Sequence, residues 1–341
     1  MRVLILAILL MVAQTCAGQI QAARAETPFQ AGVVHVTVQD AEPFDTMVWY
    51  PTRDAEVPYA AGPYTVTATR DATLAEGERF PVILLSHGHR GTPLGHRDLA
   101  AFLARDGFIV VVPTHIGDSA TPAPPRSQRQ VLTDRPRQAR LALDRVLSDP
   151  RFAPGADTAR IGAIGFSAGG YTVLALAGAR PNFAQAMVYC REHPADRGSC
   201  GPVATGGDDP PAAAADMPPM SDPRIKAVVV LDPLAFVFDR QGLAAVRMPI
   251  LLLRPESDDY LSSAGNALAL AAGLPTAPRQ IVVPGSHFVF LDPCPPALAA
   301  SAPGLCKDAP GVDRVAVHRQ FEKDIAAFLH QSLRGAASRL P

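Results

Sequence analysis

The chain of 341 residues carries a formal net charge of −1 and has no basic run, which argues against nucleic acid or an acidic surface as its partner. Only 18% of its residues are charged, whereas 34 are proline and 48% are hydrophobic, a composition suited to proline-stiffened loops around a sizeable core. The length fits one large domain.

The chain opens with the features of a leader. Arg2 gives a positive start, residues 3–13 an apolar run, and Ala23-Arg24-Ala25 an A-x-A cleavage site. The apolar run is too short to span a bilayer, and polar Gln14 and Thr15 end it. A signal peptide over residues 1–25 is therefore expected instead of a stable membrane anchor, with the remaining chain exported to a periplasm or secreted. Beyond the leader, Cys190, Cys200, Cys294 and Cys306 form two local pairs. Three connectivities are open, and the economical one in an oxidising compartment is Cys190–Cys200 with Cys294–Cys306. Neither pair has the C-x-x-C spacing of a zinc site.

Residues 33–38 and 46–50 are β-rich runs around a turn-like Asp40-Ala41-Glu42-Pro43, the pattern of a hairpin. After a Pro/Gly-rich stretch with one extended piece near residues 64–68, the pattern changes to strand–helix alternation. That alternation implies a mostly parallel sheet with helices on both faces. Strands are expected at residues 82–86, 108–112, 160–166, 225–231, 250–253 and 280–283. Helices are expected at 97–105, from Asp134 and Pro136 onward, after Ser167, and from about Val312 to the end. Residues 181–223 lose all periodicity and are rich in proline and glycine, which reads as a lid-like insertion.

The chemistry centres on Gly165-Phe166-Ser167-Ala168-Gly169 between a strand and a helix. This is the pattern of a sharp turn that exposes a strained serine, with the helix N-terminus facing any oxyanion formed beside it. Serine needs a base that is itself oriented by an acid. His287, in Pro284-Gly285-Ser286-His287-Phe288 after the last strand, is the expected base. Asp258, after the penultimate strand, is the expected acid. Asp232, which ends the preceding strand, is its rival, and Glu256 and Asp259 are neighbours of the same type. The backbone N–H groups of His89, in Ser86-His87-Gly88-His89, and of Ala168 are the expected oxyanion donors. A competing reading takes His87, His89, His96, His115 and Asp118 as metal ligands, but a serine with a late histidine accounts for the site with no metal and no cofactor.

These residues resemble the α/β-hydrolase superfamily, and more narrowly its exported dienelactone hydrolase-like branch, related to platelet-activating-factor acetylhydrolases. The resemblance rests on Val48-Trp49-Tyr50-Pro51-Thr52, Phe80-Pro81-Val82-Ile83-Leu84-Leu85-Ser86-His87-Gly88, the strand before Pro113, the Ser167 turn and the Pro284–Phe288 segment. It implies one α/β-hydrolase domain over residues 26–341 and a serine carboxylic-ester hydrolase acting on a small-molecule ester. The acetylhydrolase relatives place their acid after the earlier strand, at the position of Asp232. A lipase or phospholipid acetylhydrolase, and a non-catalytic binding protein on the same fold, are the other readings.

Overall fold

The computed structural model describes residues 29–124, 126–204 and 220–337. The leader expected over residues 1–25 and residues 205–219 of the insertion lie outside the described residues.

The chain begins with the hairpin β1 (Gln30–Val38) and β2 (Phe44–Thr52), followed by the small ribbon β3 (Tyr59–Ala61) and β4 (Tyr64–Val66) and the two-residue β5 (Thr69–Arg70). The alternating part comprises β6 (Phe80–Ser86), α1 (Arg97–Arg105), β7 (Ile109–Pro113), α2 (Gln128–Leu147), β8 (Ala156–Phe166) and α3 (Ala168–Leu176). Two helices follow in the insertion, α4 (Phe183–Glu192) and α5 (Arg197–Ala204). Then come β9 (Ile225–Leu231), β10 (Ile250–Pro255), α6 (Ala267–Gly273), β11 (Arg279–Val283), the short α7 (Pro296–Ser301) and α8 (Pro303–Cys306), and the long α9 (Arg314–Ala337).

Nine strands form one sheet in the order β11-β10-β9-β8-β6-β7-β2-β1-β5. The run from β11 to β7 is parallel, whereas β2 lies antiparallel to both β7 and β1. Because successive side chains of a strand face opposite sides, the buried strands feed two cores. Val82 and Leu84 of β6 join Ala139, Leu143 and Val146 of α2 and Val173 and Leu174 of α3. Ile83 and Leu85 join Leu99 and Leu103 of α1 and Phe321, Ile325 and Leu329 of α9. The parallel strands are buried on both faces, which is why they read as unbroken apolar runs in the sequence.

α2 starts earlier than Asp134. Ser127 caps it, accepting from the Gln130 N–H, while the Gln130 side chain accepts from the Ser127 N–H. This reciprocal box supplies a start that outweighs the proline signal. Pro136 therefore lies inside the helix, where it lacks the N–H that would reach the Leu132 carbonyl. The Tyr171 hydroxyl of α3 donates to that carbonyl instead, at 3.1 Å.

The insertion is not without regular structure. The Cys190–Cys200 disulfide joins α4 to α5, and Cys294–Cys306 closes the loop before α9, the two pairings expected. The Asn266 side chain donates to Ser199 Oγ on α5 at 2.8 Å and accepts the N–H groups of Ala235 and Phe236 after β9. No helix among the described residues is long and apolar enough to cross a membrane.

Two outcomes follow. Protein lacking residues 1–25, unfolded without reductant, exposes no reactive thiol to a thiol reagent. Tyr171→Phe leaves the Leu132 carbonyl buried without a donor and lowers the unfolding free energy by about 1–3 kcal/mol in a urea titration.

Candidate active site

The turn between β8 and α3 forces Ser167 into φ 54°, ψ −118°, a conformation that non-glycine residues rarely adopt and that costs on the order of 1–3 kcal/mol. Three backbone bonds hold it there. The Ser167 N–H donates to Leu231 O, and the Gly170 and Leu234 N–H groups donate to Ser167 O. The glycines of the motif leave no room for alternatives. A Cβ on Gly169 would sit 1.9 Å from Ser86 O, and one on Gly165 would sit 2.2 Å from Gly169 O. The end of β6 is thereby pressed against the first turn of α3. Ala168 opens that helix, so its N–H is among the donors that a helix leaves without an internal acceptor.

His287 sits in a single turn of 3₁₀ helix after β11 and is only 2% exposed. Gly285, at φ 110°, reverses the chain just before it, as glycine does readily. The His287 Nδ1 meets Asp232 Oδ2 at 2.6 Å. Asp232, 1% exposed, directly follows Leu231, whose carbonyl holds the Ser167 N–H. The His287 ring packs on Phe166, with centroids 4.7 Å apart. Ser167 and Asp232 thus stand at the carboxyl ends of the neighbouring strands β8 and β9, and His287 reaches Asp232 from beyond β10, after β11. Burial pushes the Asp232 carboxyl above the usual carboxylate range, with Asp258 and Asp259 adding to the effect and His287 opposing it.

Asp258, expected as the acid, is not the carboxylate that His287 meets. It is exposed on the loop after β10 and accepts the Ser263 N–H at 3.3 Å. The reason is sheet order: β9 borders β8, whereas β10 is one strand further out, a step of about 4.8 Å per strand. Glu256 and Asp259 are likewise exposed.

The loop after β6 lies against the serine, for a Cβ on Gly88 would be 3.4 Å from the Ser167 Cβ. His89 follows it, its ring hydrogen-bonded to Asp118 Oδ1, and the Arg90 N–H donates to the same oxygen at 3.3 Å. Beneath the loop runs a directed chain of buried hydrogen bonds. Ser86 Oγ meets His115 Nε2 at 2.8 Å, and His115 Nδ1 meets Gln138 Oε1 at 3.3 Å. The amide oxygen can only accept, so His115 carries its proton on Nδ1 and takes the serine's on Nε2. The His115 N–H in turn donates to His87 Nε2, and His87 Nδ1 donates to Gly88 O. Burial lowers both histidines, His87 to about 3, so both rings are neutral. Their nitrogens are engaged in the fold, and among the described residues no group of His, Cys, Asp and Glu is arranged to hold a metal ion.

Two side chains at the site carried no motif. Tyr260 stacks on the His287 ring at 4.5 Å and 22°; nothing in its loop sequence marks it. Arg135 is 1% exposed beneath the loop after β6. It had a signal, for it falls on the helical stripe that contains Leu132, Ala139 and Ala142, where a charge implies a buried partner.

The serine turn after β8, the aspartate after β9 and the late histidine after β11 belong to one parallel sheet. This is an α/β-hydrolase fold. Residues 68–204 match the dienelactone hydrolase family. The solved structure of a ferulic acid esterase from Streptomyces cinnamoneus is similar across 92% of this chain and 93% of its own, with a TM-score of 0.61 and 19% sequence identity. No curated protein matches the chain. In this fold the contact between β6 and α3 is the tightest constraint on the site. Gly169→Ala is expected to lower the unfolding free energy by at least about 3 kcal/mol, whereas Gly304→Ala, where a Cβ meets nothing, leaves the urea midpoint unchanged.

Proposed function

We propose that the protein is a serine carboxylic-ester hydrolase that works through an acyl-enzyme on Ser167. The observation that carries this reading is the buried His287–Asp232 pair set beside a serine in a strained turn. Ser167 Oγ attacks the ester carbonyl while His287 takes its proton through Nε2, since Nδ1 is committed to Asp232. The N–H groups of His89 and Ala168 receive the developing oxyanion, each worth about 3 kcal/mol. His287 returns the proton to the leaving alcohol, and water, activated by the same ring, releases the acid. Asp232 fixes the tautomer and stabilises the imidazolium; Asp258 takes no part. The reaction as written uses no cofactor.

A small-molecule ester is the substrate class. A lipid interface would call for an apolar patch on the insertion, yet of Phe183, Met187, Val188 and Tyr189 only Val188 is exposed. The disulfides suit export to an oxidising compartment, with residues 1–25 as the signal peptide and α4–α5 as part of a cover over the site.

The test is hydrolysis of p-nitrophenyl esters from acetyl to palmitoyl, with a ferulate ester in the series because of the Streptomyces neighbour's name. A fluorophosphonate probe checks labelling. Short-chain turnover, with labelling lost in Ser167→Ala, is the expected result; an optimum at palmitoyl would favour the lipase reading, and no turnover or labelling at all would favour the binding-protein reading. Asp232→Asn is expected to lower kcat by about 10⁴-fold, while Asp258→Asn stays near wild type.

A further inference from the structure

The loop after β6 and helix α3 come from distant parts of the chain, yet one buried side chain reaches both. The Arg135 guanidinium, on α2, donates to four groups. Nη1 reaches Asp118 Oδ2 at 2.6 Å, Nε reaches Thr172 Oγ1 at 3.0 Å, and Nη2 reaches Ser86 Oγ at 3.3 Å and the His87 carbonyl. Each arm leads to the site. Asp118 grips the His89 ring and the Arg90 N–H, which are the two sides of the residue offered as one oxyanion donor. Thr172, held by Arg135, donates to the Ala168 carbonyl at 3.1 Å, on the residue offered as the other.

We propose that Arg135 is the positioning residue of the oxyanion hole, setting the distance between its two halves through Asp118 on one side and Thr172 on the other. The inference rests on the serine-esterase reading above. It does not make Arg135 a catalytic residue, because the guanidinium is spent on the protein's own acceptors.

Net stability does not explain the pair. Arg135 and Asp118 are 1% and 3% exposed, and an ion pair buried so completely loses hydration that its mutual attraction scarcely restores. Burial disfavours the charge on both; the Arg135 guanidinium holds the Asp118 carboxyl below its usual range despite that. Apolar pairs of similar volume often match the stability of a buried ion pair. They would not supply five donors in a rigid plane, which is what fixes four acceptors from three chain segments at once. Lysine keeps the charge but not the plane, so the arms should separate in its presence.

The experiment compares wild type, Arg135→Lys and Thr172→Val, with kcat normalised to Ser167 titrated by a fluorophosphonate so that misfolded protein does not count. A trifluoromethyl ketone, which forms a hemiketal whose oxyanion occupies the hole, reports on that hole alone. The expected result for Arg135→Lys is a fall in kcat of about 100-fold with KM within about 3-fold of wild type, as for a displacement of about 1 Å at the reacting centre. Thr172→Val, which cuts only the arm to Ala168, falls by about 10-fold, and ketone affinity falls with kcat/KM in both. Folded variants with kcat per titrated site and ketone affinity at wild-type values would overturn the proposal and leave Arg135 a prop for the fold. Should Arg135→Lys not fold, Thr172→Val decides by the same readouts. Failure of the underlying reading shows earlier and separately, as wild-type protein that neither hydrolyses esters nor labels at Ser167.

Discussion

The structure depends on how closely the turn at Ser167 approaches the end of β6. Only a hydrogen fits between Gly169 and Ser86 O, so β6, β8 and α3 have one mutual position. Ser167 pays with a strained backbone, and bonds from Gly170 and Leu234 and to Leu231 hold it there. Those same bonds tie the serine to the end of β9, where Asp232 stands. Loop, helix and Asp232 are thus set by one contact, whereas His287 comes from beyond β10.

The buried polar groups divide between two tasks. Under the loop after β6, Arg135, Ser86, His87 and His115 are linked by hydrogen bonds, and the neutral His87 and His115 rings add no charge to this buried region. At the other pole Asp232 has one oxygen on His287, while the second meets no donor among the described residues. An incompletely satisfied buried carboxylate is costly. A buried carboxylate with one oxygen on a histidine and the other unpaired is a candidate for function rather than for packing.

Much of this was legible in the sequence. The strand runs of the parallel sheet, the apolar stripe of α9 and the two disulfide pairings are local patterns, and Ser167 and His287 stand out by the glycines around them. The carboxylate that His287 meets was not legible in the same way. Asp232 and Asp258 both end apolar strands, and only the lateral order of the sheet, a property of no single segment, distinguishes them. The start of α2 was misplaced because Pro136 is the stronger textual sign, while the Ser127–Gln130 box and the rescue of Leu132 O by Tyr171 depend on side-chain geometry. Arg135 offered a clue in its place on a buried stripe, but its four partners come from residues 86 to 172.

Both disulfides are short-range, with partners 10 and 12 residues apart. They fasten the α4–α5 pair and the segment before α9 and cross no strand of the large sheet. Sheet assembly therefore needs no oxidant. Each closed clip adds about 3 kcal/mol in the chain-entropy account. The parallel sheet and the serine turn are thus held by burial and hydrogen bonds, with no covalent clip across them.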